Sequence, residues 1–223
     1  PDTKTPNIMN RRQFSLSLVP LSCLVAGHVL AQGAPKKEES ARPFRAVNVP
    51  EDGRRVLFFF DFACPFCAGY HDPLLNFAAT VPKGIQTMFI PVVNVADVVR
   101  KQEQIIAAKC YYAALAIASK EQMARFISSV YNSYAETRSL ASKEMWAKAV
   151  KVSGIDMKRF STALSDGKSD VQIKFAARKT LQYALRATPS VGVGGKYVLT
   201  PDDVMGDQSM FFNILNGLTS EIL

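Results

Sequence analysis

The segment from Val56 to Cys67, VLFFFDFACPFC, limits the possible fold more than any other part of the chain. Its first five residues form an apolar run without polar alternation. A run of this kind is a short strand covered on both faces, which demands packing layers above and below a sheet. Cys64 and Cys67 follow closely, and Pro65 stands where a first helical turn has no use for an N–H. A helix is expected from there to about Ala79, bent near Pro73. A second strand is expected over Ile85–Val93, IQTMFIPVV. Strand, helix, strand in that order implies a parallel pair joined by a right-handed crossover.

Helical patterns then run from about Asp97 to Leu164. IIAAKCYYAALAIA is apolar almost all round and reads as a buried helix, with Cys110 an inert core thiol. EQMARFISSVYNSY and SKEMWAKAVKVSG are amphipathic; Gly154 stops the latter, and Trp146 belongs to the core of this block. A further helix is expected over Ser169–Leu185. TPSVGVGGKYVLT reads as a β-hairpin turning at Gly194 and Gly195, and a last helix covers roughly Asp207–Leu218. The fold class is therefore α/β. A helical insertion, 97–168, separates two parts of one domain, 46–96 and 169–223.

The N-terminal part carries an export pattern. From Met9 the chain reads MNRRQFSLSLVPLSCLVAGHVLAQ, with Arg11 and Arg12 before a short apolar stretch and small residues up to Ala31. This is the pattern of a cleavable secretory signal, cut after Ala31, with Met9 as the start. Pro20, Gly27 and His28 make it a poor bilayer span, so no stable membrane anchor is expected. The arginine pair also resembles a twin-arginine signal, although Ser15 stands where such signals carry Leu. Residues 1–31 are thus assigned to the signal and its upstream sequence, and 32–45, rich in Lys and Glu, to a linker. Removal of the signal takes Cys23 and His28 with it.

The remaining inventory excludes several classes of function. His71 is left as the sole histidine, read as a helix-surface residue, so neither a histidine-rich metal site nor a hydrolase triad is available. The formal net charge of +8 comes from scattered Lys and Arg, which argues for a basic surface rather than a nucleic-acid site. The close pair Cys64 and Cys67 has three readings. As half of a zinc site it lacks partners, since four ligands are needed. As a structural disulfide it closes too short a loop to constrain the unfolded chain much. As a redox dithiol it has a mechanism. Cys64 falls at a helix start, where unpaired N–H groups and the macrodipole favour a thiolate. Cys67, nearly one turn on, is expected to be the more buried of the two. Cys64 is then the nucleophile and Cys67 the resolving thiol of a redox-active disulfide.

VLFFFDFACPFC, the helical insertion and ATPSVGVGGKYVLT together resemble the DsbA-like thiol:disulfide oxidoreductases, which have a thioredoxin fold with an inserted helical domain. The resemblance covers about 46–223. It implies that Pro189 is cis and faces the cysteines, and that the backbone at Thr188 pairs with an extended substrate peptide. Pro65 and Phe66, between the cysteines, complete the candidate substrate-contacting set. Two positions depart from the family pattern. Phe66 stands where many relatives carry His, and Phe58 stands where many carry a buried acid. The nearest acid is Asp61, which is either a hydrogen-bonding residue at the strand end or a charge acting on Cys64.

The expected function is that of a periplasmic oxidase that donates the Cys64–Cys67 disulfide to unfolded or partly folded exported proteins. It needs no dissociable cofactor and no metal. The resemblance implies reoxidation by a DsbB-like membrane oxidant. A reductase or isomerase is the alternative within enzymes; a non-catalytic assembly module with a structural disulfide is the alternative outside them.

Overall fold

The computed structural model describes residues 42–223. The signal assignment and most of the linker therefore lie outside the described residues. The strands are β1 (Arg45–Ala46), β2 (Arg55–Phe60), β3 (Gln86–Pro91), β4 (Ser190–Val193) and β5 (Tyr197–Leu199). The helices are α1 (Pro65–Thr80), α2 (Lys101–Leu115), α3 (Lys120–Thr137), α4 (Lys143–Ser153), α5 (Met157–Ser165), α6 (Lys168–Gln182) and α7 (Gln208–Ser220). One five-stranded sheet runs in the order β1-β5-β4-β2-β3. Only β2 and β3 are parallel, with Phe58 opposite Phe89; β4 pairs antiparallel with β2, Val191 standing opposite Phe58.

After Arg55, β2 is apolar from Val56 to Phe60 because this part of the strand has a layer on each face. Val56 and Phe58 pack with Leu74 and Phe77 of α1 and with Phe211 and Leu215 of α7. Leu57 and Phe59 turn to the other face, toward Tyr183 and the cluster built from α2–α5. Side chains alternate across a strand, so covering both faces leaves no position for a polar residue. Phe58, where an acid was absent from the sequence pattern, is buried and stacked on Phe89 with ring centroids 4.7 Å apart.

α3, α4 and α5 start where polar side chains satisfy the first free N–H groups. Ser119 and Gln122 form a reciprocal capping box on α3, while Ser142 and Asp156 cap α4 and α5. Gly154 ends α4 in the left-handed region (φ 73°), as its sequence position suggested. Trp146 is buried there; its indole N–H donates to the Leu140 carbonyl at 2.8 Å, and its ring lies 6.1 Å from that of Phe126. α1 continues through Pro73 to Thr80.

Three features depart from the sequence reading. Phe44 and Arg45, assigned to the linker, belong to the folded body. The Phe44 ring meets Tyr197 at 5.1 Å, and Arg45 lies opposite Val198. His71 is buried rather than exposed. It lies on the face of α1 that also carries Cys67 and Leu74, and its ring is 5.6 Å from Phe89 and 6.0 Å from Tyr131. The helical layer covers that face, and the i, i+3, i+4, i+7 spacing of Cys67, Tyr70, His71 and Leu74 already placed His71 on it. The third feature is a buried ionic cluster at the far end of β2 from the cysteines. Lys179 donates to Asp52 at 2.6 Å, the Tyr183 hydroxyl donates to the same carboxylate oxygen at 2.9 Å, and Arg55 donates to the other at 2.8 Å.

The β4–β5 hairpin turns at Gly194 and Gly195, both with positive φ (59° and 64°). A Cβ on Gly195 would fall 1.9 Å from the Val49 carbonyl oxygen, whose residue donates its N–H to Gly195. Backbone conformation and close approach both demand glycine at this turn.

Candidate active site

β2 ends at Phe60, and the chain turns within four residues into α1. That turn is closed by the Cys64 N–H donating to the Asp61 carbonyl at 3.0 Å. Cys64 occupies the N-cap of α1 in extended conformation, with Pro65 in the first helical turn. Its sulfur therefore sits against the unpaired N–H groups of the helix start. Cys67 is 2% exposed, whereas Cys64 is half-buried. Both are free thiols, the reduced state of a pair that could close a disulfide.

The surroundings push the two thiols in opposite directions. Cys64 is lowered to about 6. The largest cause is a hydrogen bond from the Cys67 thiol; burial works against it, and the Thr188 side chain and the Cys67 and Phe66 N–H groups add to it. Cys67 is held far above its usual value, first by burial and then by its neighbour Cys64. Its sulfur also accepts the Asp61 N–H at 3.4 Å. One thiol is placed to ionise at neutral pH, and the other keeps its proton.

Across the turn, the Thr188–Pro189 peptide bond is cis. The Cys64 thiol donates to the Thr188 carbonyl at 3.0 Å. The structure thus brings the cysteine pair against Thr188, 124 residues beyond Cys64 in the chain. Pro189 is buried beside them, and Phe66, 67% exposed, projects into solvent next to Cys64. Cys110 stays apart, buried in α2, its thiol pushed up to about 12 by burial.

Asp61 is 6% exposed and saturated with hydrogen bonds. Its carboxylate accepts from the Ala63 N–H (2.8 Å), the Arg100 guanidinium (2.8 Å) and the Gln104 amide (3.0 Å). Sequence reasoning singled out Asp61 but not Arg100 or Gln104. They lie 39 and 43 residues away, in a segment whose local pattern says only that a helix begins there. The buried His71 has no hydrogen-bond partner for its Nε2 among the described residues, and burial holds it toward the neutral form. The described residues contain no cluster of three or more His, Cys, Asp or Glu that could hold a metal ion.

A sheet with one parallel pair, a cysteine pair opening the first long helix and a cis proline facing it define a thioredoxin-fold protein of the dithiol type. The family model described as Thioredoxin matches residues 52–208. The chain belongs to that family, with a helical insertion in the fold. It is 22% identical over 146 residues to the thiol:disulfide interchange protein DsbA of Bordetella pertussis, a match that covers 66% of this chain and 66% of that protein. It is 24% identical over 185 residues to the Burkholderia cepacia protein of the same name, covering 80% of this chain and 82% of that one. Among solved structures it is similar to DsbA of Pseudomonas aeruginosa, with a TM-score of 0.65, 14% identity, and coverage of 80% of this chain and 91% of that one. The chain thus spans just under two thirds of the Bordetella relative.

Proposed function

We propose that this protein is a thiol:disulfide oxidoreductase of the periplasm, working as an oxidase on exported proteins. The observation that carries this reading is the asymmetry of the dithiol: a half-exposed Cys64 at a helix N-terminus, favoured as thiolate, in front of a buried Cys67 that keeps its proton. In the oxidised protein, a client thiolate attacks the Cys64 sulfur. The Cys64–Cys67 bond breaks, and Cys67 leaves and takes up a proton. The client's second thiol loses its proton and attacks the client sulfur of the mixed disulfide, expelling Cys64 as a stable thiolate. Two client thiols become one disulfide, and the two electrons remain on Cys64 and Cys67. A DsbB-like membrane oxidant then removes them.

Thr188 and Pro189 form the edge on which an extended client segment pairs, with the Thr188 carbonyl beside the reacting sulfur. Pro65 and Phe66 supply the exposed apolar contact. Main-chain pairing tolerates many sequences, which suits an enzyme with varied clients. The names of the Bordetella and Burkholderia relatives support the reaction class.

The deciding experiment is the redox state of Cys64 and Cys67 in the cell, fixed by acid and read by alkylation. A mostly oxidised pair is expected. A mostly reduced pair would make the protein a reductase or isomerase, and a disulfide that no thiol can open would make it an assembly module.

A further inference from the structure

We propose that Asp61 and Arg100 form a charge-balanced positioning pair that sets the oxidising strength of the Cys64–Cys67 couple without touching substrate. The proposal rests on the dithiol reading above and adds residues to it.

Asp61 is wired to both cysteines through its backbone. Its N–H donates to the Cys67 sulfur at 3.4 Å, and its carbonyl accepts the Cys64 N–H at 3.0 Å. Its carboxylate is therefore fixed within the turn that holds the sulfurs. An unbalanced negative charge there would oppose a thiolate on Cys64. Arg100, at the start of α2, removes that opposition with a guanidinium contact at 2.8 Å. Gln104, one turn further along α2 and 5% exposed, holds the same carboxylate oxygen at 3.0 Å, and its own oxygen accepts the Asn94 N–H at 2.8 Å. The other titratable groups packed against this corner, Tyr131 of α3 and His71 of α1, are held toward neutrality by burial. The charged side chains at this corner are Asp61 and Arg100, with Asp97 behind them, its carboxylate accepting the Arg100 backbone N–H at 2.9 Å; it is to the Asp61–Arg100 balance that we assign the charge acting on Cys64.

A pair that merely braces the turn and a pair that balances charge make different predictions. If the pair only braces, loss of either partner loosens the turn and moves the couple in one direction. If it balances charge, the two losses move it in opposite directions. Arg100→Met leaves the carboxylate uncompensated and disfavours the thiolate. Asp61→Asn leaves the guanidinium uncompensated and favours it.

The test uses the full chain and four variants: Asp61→Asn, Arg100→Met, Arg100→Lys, and Asp61→Asn with Arg100→Met. Thermal melts establish folding, thiolate absorbance against pH reads Cys64, and equilibration with glutathione buffers reads the couple. Arg100→Met should raise the Cys64 pKa and shift the equilibrium by up to about fivefold, or about 20 mV, toward the oxidised protein, the guanidinium being partly screened by solvent. Asp61→Asn should lower the pKa and shift the equilibrium by a similar factor toward the reduced protein. Arg100→Lys and the double variant should stay near wild type. Shifts of the same sign, or none in either single variant, would overturn the proposal. If Asp61→Asn fails to fold, equal behaviour of Arg100→Met and Arg100→Lys overturns it alone. The function proposed above stands or falls separately. A wild-type disulfide that glutathione cannot open sinks the oxidoreductase reading, while the Cys64 titrations of the reduced variants still report on the pair.

Discussion

Cys64 and Cys67 are the same residue type, and position alone gives them different surroundings. One caps a helix and the other faces inward a turn later. Replacing Cys67 with Ala should trap mixed disulfides between Cys64 and client proteins, visible on non-reducing gels. Replacing Cys64 with Ala should trap almost none, because the buried Cys67 keeps its proton. Equal trapping by both variants would remove the assignment of nucleophile and resolver. The oxidising strength follows from the same residues. A Cys64 near about 6 lies between the about 3.5 of DsbA and the about 7 of thioredoxin. The potential should fall between the about −120 mV of DsbA and the about −200 to −230 mV of glutaredoxins, measured against glutathione. Phe66 offers Cys64 no side-chain donor or positive charge. Phe66→His should make the couple more oxidising by on the order of 30 mV, about tenfold in the equilibrium constant. An unchanged potential would show that this side chain does not act on the thiolate.

α1 links redox state to stability. In the reduced protein the folded Cys64 lies near about 6, below the ordinary thiol value of 9.0. A depressed folded value contributes stability above the unfolded value and loses it as pH falls through the folded one. Cys67 has the opposite sign. Its raised folded value means that the unfolded thiol ionises first, so stability is lost as pH climbs past about 9. The disulfide form has neither group. The melting temperature of the reduced protein should therefore exceed that of the oxidised protein at pH 7–8. The gap should narrow toward pH 5 and again above about pH 9. Paired melts with and without reductant across this range test it. A disulfide form that melts higher at every pH would identify a structural cross-link instead.

Across the whole molecule, the redox end of β2 and its opposite end are held by different physics. At the far end, Asp52 (0% exposed) carries Lys179, Tyr183 and Arg55 on one carboxylate, tying the turn before β2 to α6. Breaking a buried pair by removing one partner strands the other charge out of water. Asp52→Ala should therefore cost about 3–5 kcal/mol in denaturant unfolding. The glutathione equilibrium of the folded variant should stay at the wild-type value, because the cluster lies at the other end of the strand from Cys64. A potential that moved with this substitution would mean that the two ends are coupled. Arg55, more exposed than Asp52, should matter less, since a solvent-screened pair is worth at most about 1 kcal/mol.

Local chemistry in the sequence determined much of this protein. VLFFF reads as a strand covered on both faces, Pro65 after Cys64 starts a helix, Gly194-Gly195 makes a hairpin turn, and Gly154 stops a helix. Each signal acts over a few residues, so each is readable there. The cysteine pair was legible for the same reason: its spacing and its place after a strand already set which sulfur faces out. Tertiary structure decided the rest. His71 is a polar residue on the α1 face that carries Cys67 and Leu74, and the layer carrying Tyr131 closes over it. Asp61 could be read as a strand-end hydrogen bonder or as a charge acting on Cys64, and the choice waited on Arg100 and Gln104, 39 and 43 residues further on. Lys179 looks like any surface lysine until Asp52, 127 residues away, meets it in the core. Periodicity and propensity describe how a residue relates to its neighbours along the chain. Electrostatic partners are chosen by which segments the packing of layers brings together, and that is set by the burial of the whole apolar surface at once.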